Sequence, residues 1–313
     1  MKAILMKGPG GVENLISADI PVPDISGNEL LIRVRAIGIN PIDIKTRKGQ
    51  GRYTALKVNE PLILGWDVSG VVVKKGPAAR LFNAGDEVFG MLNFPGYGRA
   101  YAEYAVANEI HLALKPSNIS HEEAAASSLA ALTAWQALRN FTLIKRGDRV
   151  LIHAASGGVG HFAVQMAKYL GAWVAGTSSA NNREFVLGIG ADMHIDYSTR
   201  KFEDIVHEMD FVLDCIGGEY TERSFSVLKP GGTIICIPSA ACENIAERAG
   251  ERGFKGTHFV VRSDGENMKE IAGMLKSGAV KPLISGIFPF DKIRDAHLQI
   301  ETGRTRGKIV VVP

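Results

Sequence analysis

Hydrophobic and polar positions change rhythm twice along the chain. Up to about residue 116, short apolar or alternating runs at 3–6, 29–36, 68–73, 86–90 and 101–106 are separated by Gly, Pro and Asn clusters. That texture predicts several short strands forming a barrel-like or sandwich module. A helical zone follows, opened by Ser120 with Glu123 three residues later in capping-box spacing, and it continues through 129–138. The domain boundary is placed at this shift. From 148 to 239 apolar runs alternate with helical patterns, which predicts a parallel sheet covered by helices on both faces. Its strands are expected at 150–153, 173–177, 193–196, 211–215 and 233–237. A helix at about 267–277, another beginning within 288–293 and a last strand at 307–312 complete the pattern.

The richest stretch is 149–171. Val150, Leu151 and Ile152 enter a glycine-rich turn that leaves as an amphipathic helix, with Phe162, Val164, Met166, Ala167 and Leu170 near helical spacing. A strand, a tight turn and a helix N-terminus in this order let backbone amides and the helix dipole face a pyrophosphate. Written as G-x-G-x-x-G, the pattern is Ala155-x-Gly157-x-x-Gly160, so its first glycine is an alanine, and an ordinary strand-turn-helix stays open as a reading. The next strand ends in Thr177-Ser178-Ser179-Ala180-Asn181-Asn182-Arg183. An NAD-specific site would carry an acid there for the ribose 2′-hydroxyl. Hydroxyls and a guanidinium instead suit a 2′-phosphate, which predicts NADPH as the cofactor.

Composition narrows the field. A chain of 313 residues that is 46% hydrophobic can fill two cores. Its net charge of +3 is spread along the chain without a basic tract, which argues against nucleic acid or an anionic membrane as partner. No run approaches the roughly 20 apolar residues of a membrane span, and no signal-like start is visible, so a cytoplasmic protein is expected. Cys215, Cys236 and Cys242 make no C-x-x-C pair, which supports neither a disulfide framework nor structural zinc. Cys215 and Cys236 read as small buried hydrophobes, and Cys242, after Ala240 and Ala241, as a loop thiol.

Several stretches together carry a family resemblance: Gly38-Ile39-Asn40-Pro41-Ile42-Asp43 with Arg47-Lys48-Gly49; Leu64-Gly65-Trp66-Asp67-Val68-Ser69-Gly70; Gly85-Asp86-Glu87-Val88; Leu132-Thr133-Ala134-Trp135; the turn at 154–160; Leu228-Lys229-Pro230-Gly231-Gly232; and Arg306-Gly307-Lys308. Spread in order from end to end, they resemble the zinc-free quinone oxidoreductase branch of the medium-chain dehydrogenases/reductases, the branch of zeta-crystallin and the alkenal/enone reductases. The resemblance implies an α/β chain with a doubly wound parallel Rossmann sheet at 123–283 and a GroES-like β-rich domain at 1–122 that 284–313 rejoins, with the active site in the cleft between them. It also implies a homodimer formed by edge-to-edge Rossmann sheets. Zinc-dependent relatives carry a cysteine at position 40 and His-Glu at 66 and 67. An asparagine and a tryptophan there argue against metal.

Without a Lewis acid, hydride transfer from NADPH favours quinones or α,β-unsaturated carbonyls, whose conjugation spreads the charge. The resemblance implies catalytic roles for Asn40 (a donor to the carbonyl oxygen, near the nicotinamide), Tyr53 (a donor or a wall of the acceptor pocket) and Asp43 (support of the site). Trp66 either limits acceptor size or is a core residue. For the cofactor it implies Asn40 and Thr133 at the nicotinamide; Ser156, Gly157, Gly158 and Val159 at the pyrophosphate; and Thr177, Ser178, Ser179, Arg183 and Tyr197 at the adenosine phosphate. Cys215, Ile216 and Gly217 would border the ribose, Phe259, Val260 and Val261 would pack beside nicotinamide, and Lys308 would reach in from the other domain. His153 and His161 read as packing or surface residues. Two rival readings stay open: an enoyl-thioester reductase, for which the 91–100 loop offers Arg99, and an NADPH-binding sensor or structural protein without turnover.

Overall fold

The computed structural model describes residues 1–59, 61–238 and 242–313, and these divide into two compact units. The first comprises Met1–Leu132, Val261–Gly278 and Pro282–Pro313, and the second Thr133–Val260 with Ala279–Lys281. Residues 123–132, 261–278 and 282–283 thus group with the first unit, although the sequence placed them in the second. The helix at 265–277 shows why. Its first residue, Gly265, sits so close to the strand at 112–114 that a Cβ would lie 2.6 Å from the Ile110 carbonyl and 2.8 Å from that of Leu112. An amphipathic pattern marks a helix without naming the sheet it covers.

In the first unit the strands are β1 (Lys2–Met6), β2 (Leu15–Asp19), β3 (Glu29–Ile39), β4 (Leu62–Ile63), β5 (Asp67–Lys75), β6 (Glu87–Met91), β7 (Tyr104–Asn108) and β8 (Leu112–Leu114). Helices α1 (Pro41–Arg47), α2 (Tyr53–Leu56) and α3 (His121–Ala126) accompany them. The helix α4 (Leu129–Gln136) carries the chain into the second unit. Ser120 and Glu123 do form the capping box of α3, each side chain accepting from the other's backbone amide at 3.1 and 2.8 Å.

The second unit runs β9 (Arg149–Ile152), α5 (Gly160–Tyr169), β10 (Trp173–Ser178), α6 (Arg183–Gly188), β11 (Met193–Asp196), β12 (Met209–Asp214), α7 (Glu219–Phe225), β13 (Leu228–Cys236), α8 (Ile245–Gly250) and β14 (Lys255–His258). Its six strands are all parallel in the order β11-β10-β9-β12-β13-β14, so the order reverses beside β9. That is the doubly wound dinucleotide fold, with its switch point at the strand that feeds the glycine turn.

The remaining elements, α9 (Gly265–Ser277), β15 (Ile284–Pro289), α10 (Ile293–Glu301) and β16 (Lys308–Val312), belong to the first unit. β16 runs antiparallel to β3, with Ile309 opposite Ile39, and parallel to β15 in a seven-stranded sheet. The helix expected to begin within 288–293 starts at Ile293, and the residues before it are strand β15. Pro289 and Gly286 obscured its strict alternation of half-buried and exposed positions. No helix among the described residues is long and apolar enough to cross a membrane.

The cysteine reading needs a correction as well. Cys236 and Cys242 are joined in a disulfide, their Cα atoms 5.8 Å apart, and both side chains are buried in the apolar core of the second unit. A separation of six residues lets the chain turn back after β13 without a C-x-x-C spacing. Ser239, Ala240 and Ala241, where the sequence ends its alternation and places a loop, lie outside the described residues.

Candidate active site

In the second unit β9 ends at Ile152, and the turn begins with His153, whose amide bonds the Leu213 carbonyl at 3.0 Å. The His153 imidazole is sealed in the core between the Thr177 hydroxyl at 3.1 Å and the Ser224 hydroxyl at 2.9 Å. Burial pulls its pKa down to about 4, so it is neutral and structural. Ala154 takes a left-handed φ of 51°, and Gly160 is obligatory, since a Cβ there would lie 2.1 Å from the Ala154 carbonyl. The alanine in place of the first glycine also has a partner. A Cβ on Gly176 would come 2.7 Å from the Ala155 methyl, so the glycine missing from the turn reappears on the neighbouring strand.

Ser156, Gly157, Gly158 and Val159 are half-buried at the lip of this turn. The amides of Ala155 and Gly157 are used internally, while those of Ser156, Gly158 and Val159 donate to no acceptor among the described residues. Three free donors at the start of the ten-residue helix α5 fit a pyrophosphate. His161 is buried and bonds back to the Gly157 carbonyl at 2.9 Å, a packing role.

The end of β10 sorts the expected adenosine-phosphate residues. Thr177 is fully buried and its hydroxyl is held by His153, so the structure does not bring this side chain to the surface where a phosphate would sit. Both faces of β10 are covered at this end, so its side chains are buried whichever way they point. Ser179 is half-buried, and its oxygen accepts from Asn182 at 3.1 Å. Arg183 is exposed, and no hydrogen bond or ion pair holds its guanidinium among the described residues. Tyr197 is half exposed, and its amide reaches the Ser178 carbonyl at 3.4 Å. The acid nearest in register, Asp196 opposite Ser178, turns its carboxylate onto Ser198 and Thr199.

At the end of β12, Cys215 is half-buried, Ile216 is exposed and Gly217 has φ 84°. Burial pushes the Cys215 thiol up, which leaves it inert. Asp214 shapes this turn: one oxygen accepts from the Ile216 and Gly217 amides at 2.9 and 2.8 Å, and the other from Thr221. The sequence reading missed it, although an acid two and three residues before the amides it caps is an Asx-turn signal. Phe259 packs at 4.7 Å from Phe141, and Val260 is exposed. Thr133, on α4, is buried, and so is Val261, which groups with the first unit.

The first unit gathers its candidates around the start of α1. Asn40 precedes Pro41, and its backbone amide donates to Asp43 at 2.7 Å. Its side chain has a further task. The Asn40 side-chain nitrogen donates to Asp67 Oδ2 at 2.8 Å, and its oxygen accepts from the Lys308 ammonium. Lysine only donates and an ionised carboxylate only accepts, which sets the amide's orientation. Lys308 Nζ also donates to the Ile39 carbonyl at 3.1 Å and lies 3.5 Å from Asp67 Oδ2. Asp67 completes its set with the Leu129 amide at 2.8 Å. Gly38 makes room, because a Cβ there would meet the Asp67 side chain at 2.9 Å.

Lys308 is therefore held inside its own unit, sealed from water, instead of reaching towards a cofactor as the sequence reading had it. Burial pushes the Asp67 pKa up and the Lys308 pKa down, and the attraction between them opposes both. Asp43, fully buried with one oxygen unpartnered, is raised to about 7, chiefly by burial. Tyr53 begins α2 and is half-buried. Trp66 is buried, donates to the Gly96 carbonyl at 2.8 Å and meets the edge of Phe94 at 5.3 Å, a core residue.

Sheet order, glycine turn and the network at position 40 together define a medium-chain dehydrogenase/reductase. Two family models match: an alcohol dehydrogenase GroES-like domain over residues 26–117 and a zinc-binding dehydrogenase over 189–311. The chain is 37% identical to the 2-methylene-furan-3-one reductase of Solanum lycopersicum, over 100% of this chain and 79% of that protein. It is 36% identical to the chloroplastic NADPH-dependent alkenal/one oxidoreductase of Arabidopsis thaliana, over 100% and 80%. A quinone oxidoreductase structure from Coxiella burnetii superposes with a TM-score of 0.95 at 36% identity, covering 100% of this chain and 99% of that one. The chain belongs to the zinc-free quinone oxidoreductase branch of this family.

Proposed function

We propose that the protein transfers a hydride from NADPH to a quinone or an α,β-unsaturated carbonyl. The observation that carries the cofactor half is Arg183, an exposed cation with no side-chain partner among the described residues, at the start of α6 just past the strand end where an NAD site needs an acid. The NADPH-dependent relative among those compared supports it. Bound NADPH would supply the hydride. The free amides at 156, 158 and 159 would hold its pyrophosphate, and Ser179, Arg183 and Tyr197 its 2′-phosphate. The Asp214-braced turn at 215–217 would border the ribose, with Thr133, Phe259 and Val260 at the nicotinamide.

The first unit would supply the acceptor side. Besides Asp67, the Asn40 side-chain nitrogen meets the Gly38 carbonyl only at the long distance of 3.5 Å, and in this reading that N–H turns to donate to the oxygen that gains charge. Asn40 and Asp67 do not form a metal site: an amide is a poor ligand for zinc, and the carboxylate is matched to Lys308. Tyr53 serves as a wall, and Asp43 holds the start of α1. A homodimer through the open edge of β14 belongs to the same reading; the cytoplasmic location expected from the sequence is not part of it. The Cys236–Cys242 disulfide is the observation that weighs against a reducing compartment.

The test is a steady-state panel with purified protein. Oxidation of NADPH accelerated by 1,2-naphthoquinone or a short enone supports the reading, and a rate no greater than buffer for every acceptor would sink it. Binding of NADPH without turnover across that panel would favour a sensor. For an enoyl thioester, Arg99 is already stacked over Tyr97 at 5.2 Å, which leaves that rival weaker.

A further inference from the structure

One histidine beside the expected phosphate residues is absent from every role assigned so far. His194 stands on β11 directly opposite Gly176, and its Nε2 lies 2.8 Å from the Ser178 hydroxyl. That hydroxyl donates onward to the Ser179 carbonyl at 3.2 Å, so its oxygen accepts from Nε2–H and leaves Nδ1 as the nitrogen that takes a proton. The face it occupies is the one on which Gly176 meets Ala155 of the cradle and Val186 of α6. His194 is therefore tied to the end of β10 at Ser178, ahead of Ser179 and of Arg183 at the start of α6.

We propose that His194 makes nucleotide selection proton-linked: a 2′-phosphate seated at Ser179 and Arg183 draws a proton onto His194, and a nucleotide lacking that phosphate does not. This rests on the assignment of the phosphate site given above. The charged groups facing His194 are Arg183 of α6 and Asp196 of its own strand, while β10 contributes the Ser178 hydroxyl and the Ser179 backbone. Partial burial, then the Arg183 charge, hold the imidazole below its ordinary pKa, with Asp196 opposing. In the free protein it is neutral at pH 7. A phosphomonoester near neutrality brings about 1.5 to 2 negative charges, which cancel the Arg183 repulsion and favour imidazolium. His194 then becomes a second cation for the phosphate, supplied only when the phosphate is present.

The sign of the pH effect follows. Between the free and the bound pKa of His194, the Kd for NADPH tightens as pH falls, by up to about tenfold per pH unit, while the Kd for NADH stays flat. Calorimetry of the whole protein at pH 7 in two buffers of different ionisation enthalpy counts the protons without any variant. Uptake of a measurable fraction of a proton with NADPH, none with NADH, and its loss in H194Q would support the proposal. Glutamine can still hydrogen-bond Ser178, and the variant carries the phosphate's own titration as the baseline. A preference for NADPH with no proton uptake, or with uptake unchanged in H194Q, would overturn the proposal alone. Equal affinity for NADPH and NADH would overturn the phosphate-site assignment and the proposal with it.

Discussion

Lys308 Nζ and Asp67 Oδ2 stand 3.5 Å apart with both side chains sealed from water, and the Asn40 amide bonds to each of them. Removing one partner leaves the other an uncompensated buried charge. K308M and D67N should each lose about 3–5 kcal/mol in urea unfolding, and the double variant should lose clearly less than the sum. Additive losses would show that the two charges do not support one another.

Arg183 is the residue on which cofactor choice turns. R183A should raise the Kd for NADPH about tenfold or more, the equivalent of about 1.5–3 kcal/mol for a charged hydrogen bond, and leave NADH almost unchanged. Equal weakening of both nucleotides would refute a phosphate contact.

Asp43 binds its proton more readily in the folded chain, with a pKa of about 7 against an ordinary 3.8. A raised carboxyl supports folding below the unfolded value, and that support fades as pH climbs from 3.8 to about 7. The stability of the wild type minus that of D43N should therefore fall across this window, by up to about 1.4 kcal/mol per pH unit, and level off above it. Chemical denaturation at a series of pH values checks this. A constant difference from acid to neutral pH would mean that the Asp43 pKa is the same in the folded and the unfolded chain.

Thiol counting settles the cysteines. Denatured but unreduced protein should take one alkyl label, on Cys215, and reduced protein three. Three labels before reduction would remove the Cys236–Cys242 bond.

The legible parts of this chain were local. Runs such as 150–152 and 211–213 announce buried parallel strands, Ser120 and Glu123 cap a helix within one turn, and the glycine turn carries its own backbone requirement. Hidden from the sequence were facts made by distant pairing. Nothing near Lys308 shows that its ammonium is matched to Asp67, because the contact exists only once β16 lies against β3. Thr177 and Ser179 look alike in a row of hydroxyls, yet Thr177 lies within the fully covered end of β10 and Ser179 just beyond it, half-buried. Alternation in β15 was present but broken by Gly286 and Pro289.

The return of β16 to β3 also sets a timetable. The carbonyl of Ile39 receives the Lys308 ammonium across 269 positions of chain. At about 5–20 residues per second, a ribosome needs on the order of 15 to 50 seconds to cover that interval. During it the second unit, encoded between them, emerges whole and can complete its parallel sheet while the upper edge of β3 is still bare. The domain begun first is finished last, and nascent chains halted before residue 308 should occupy chaperones through that edge.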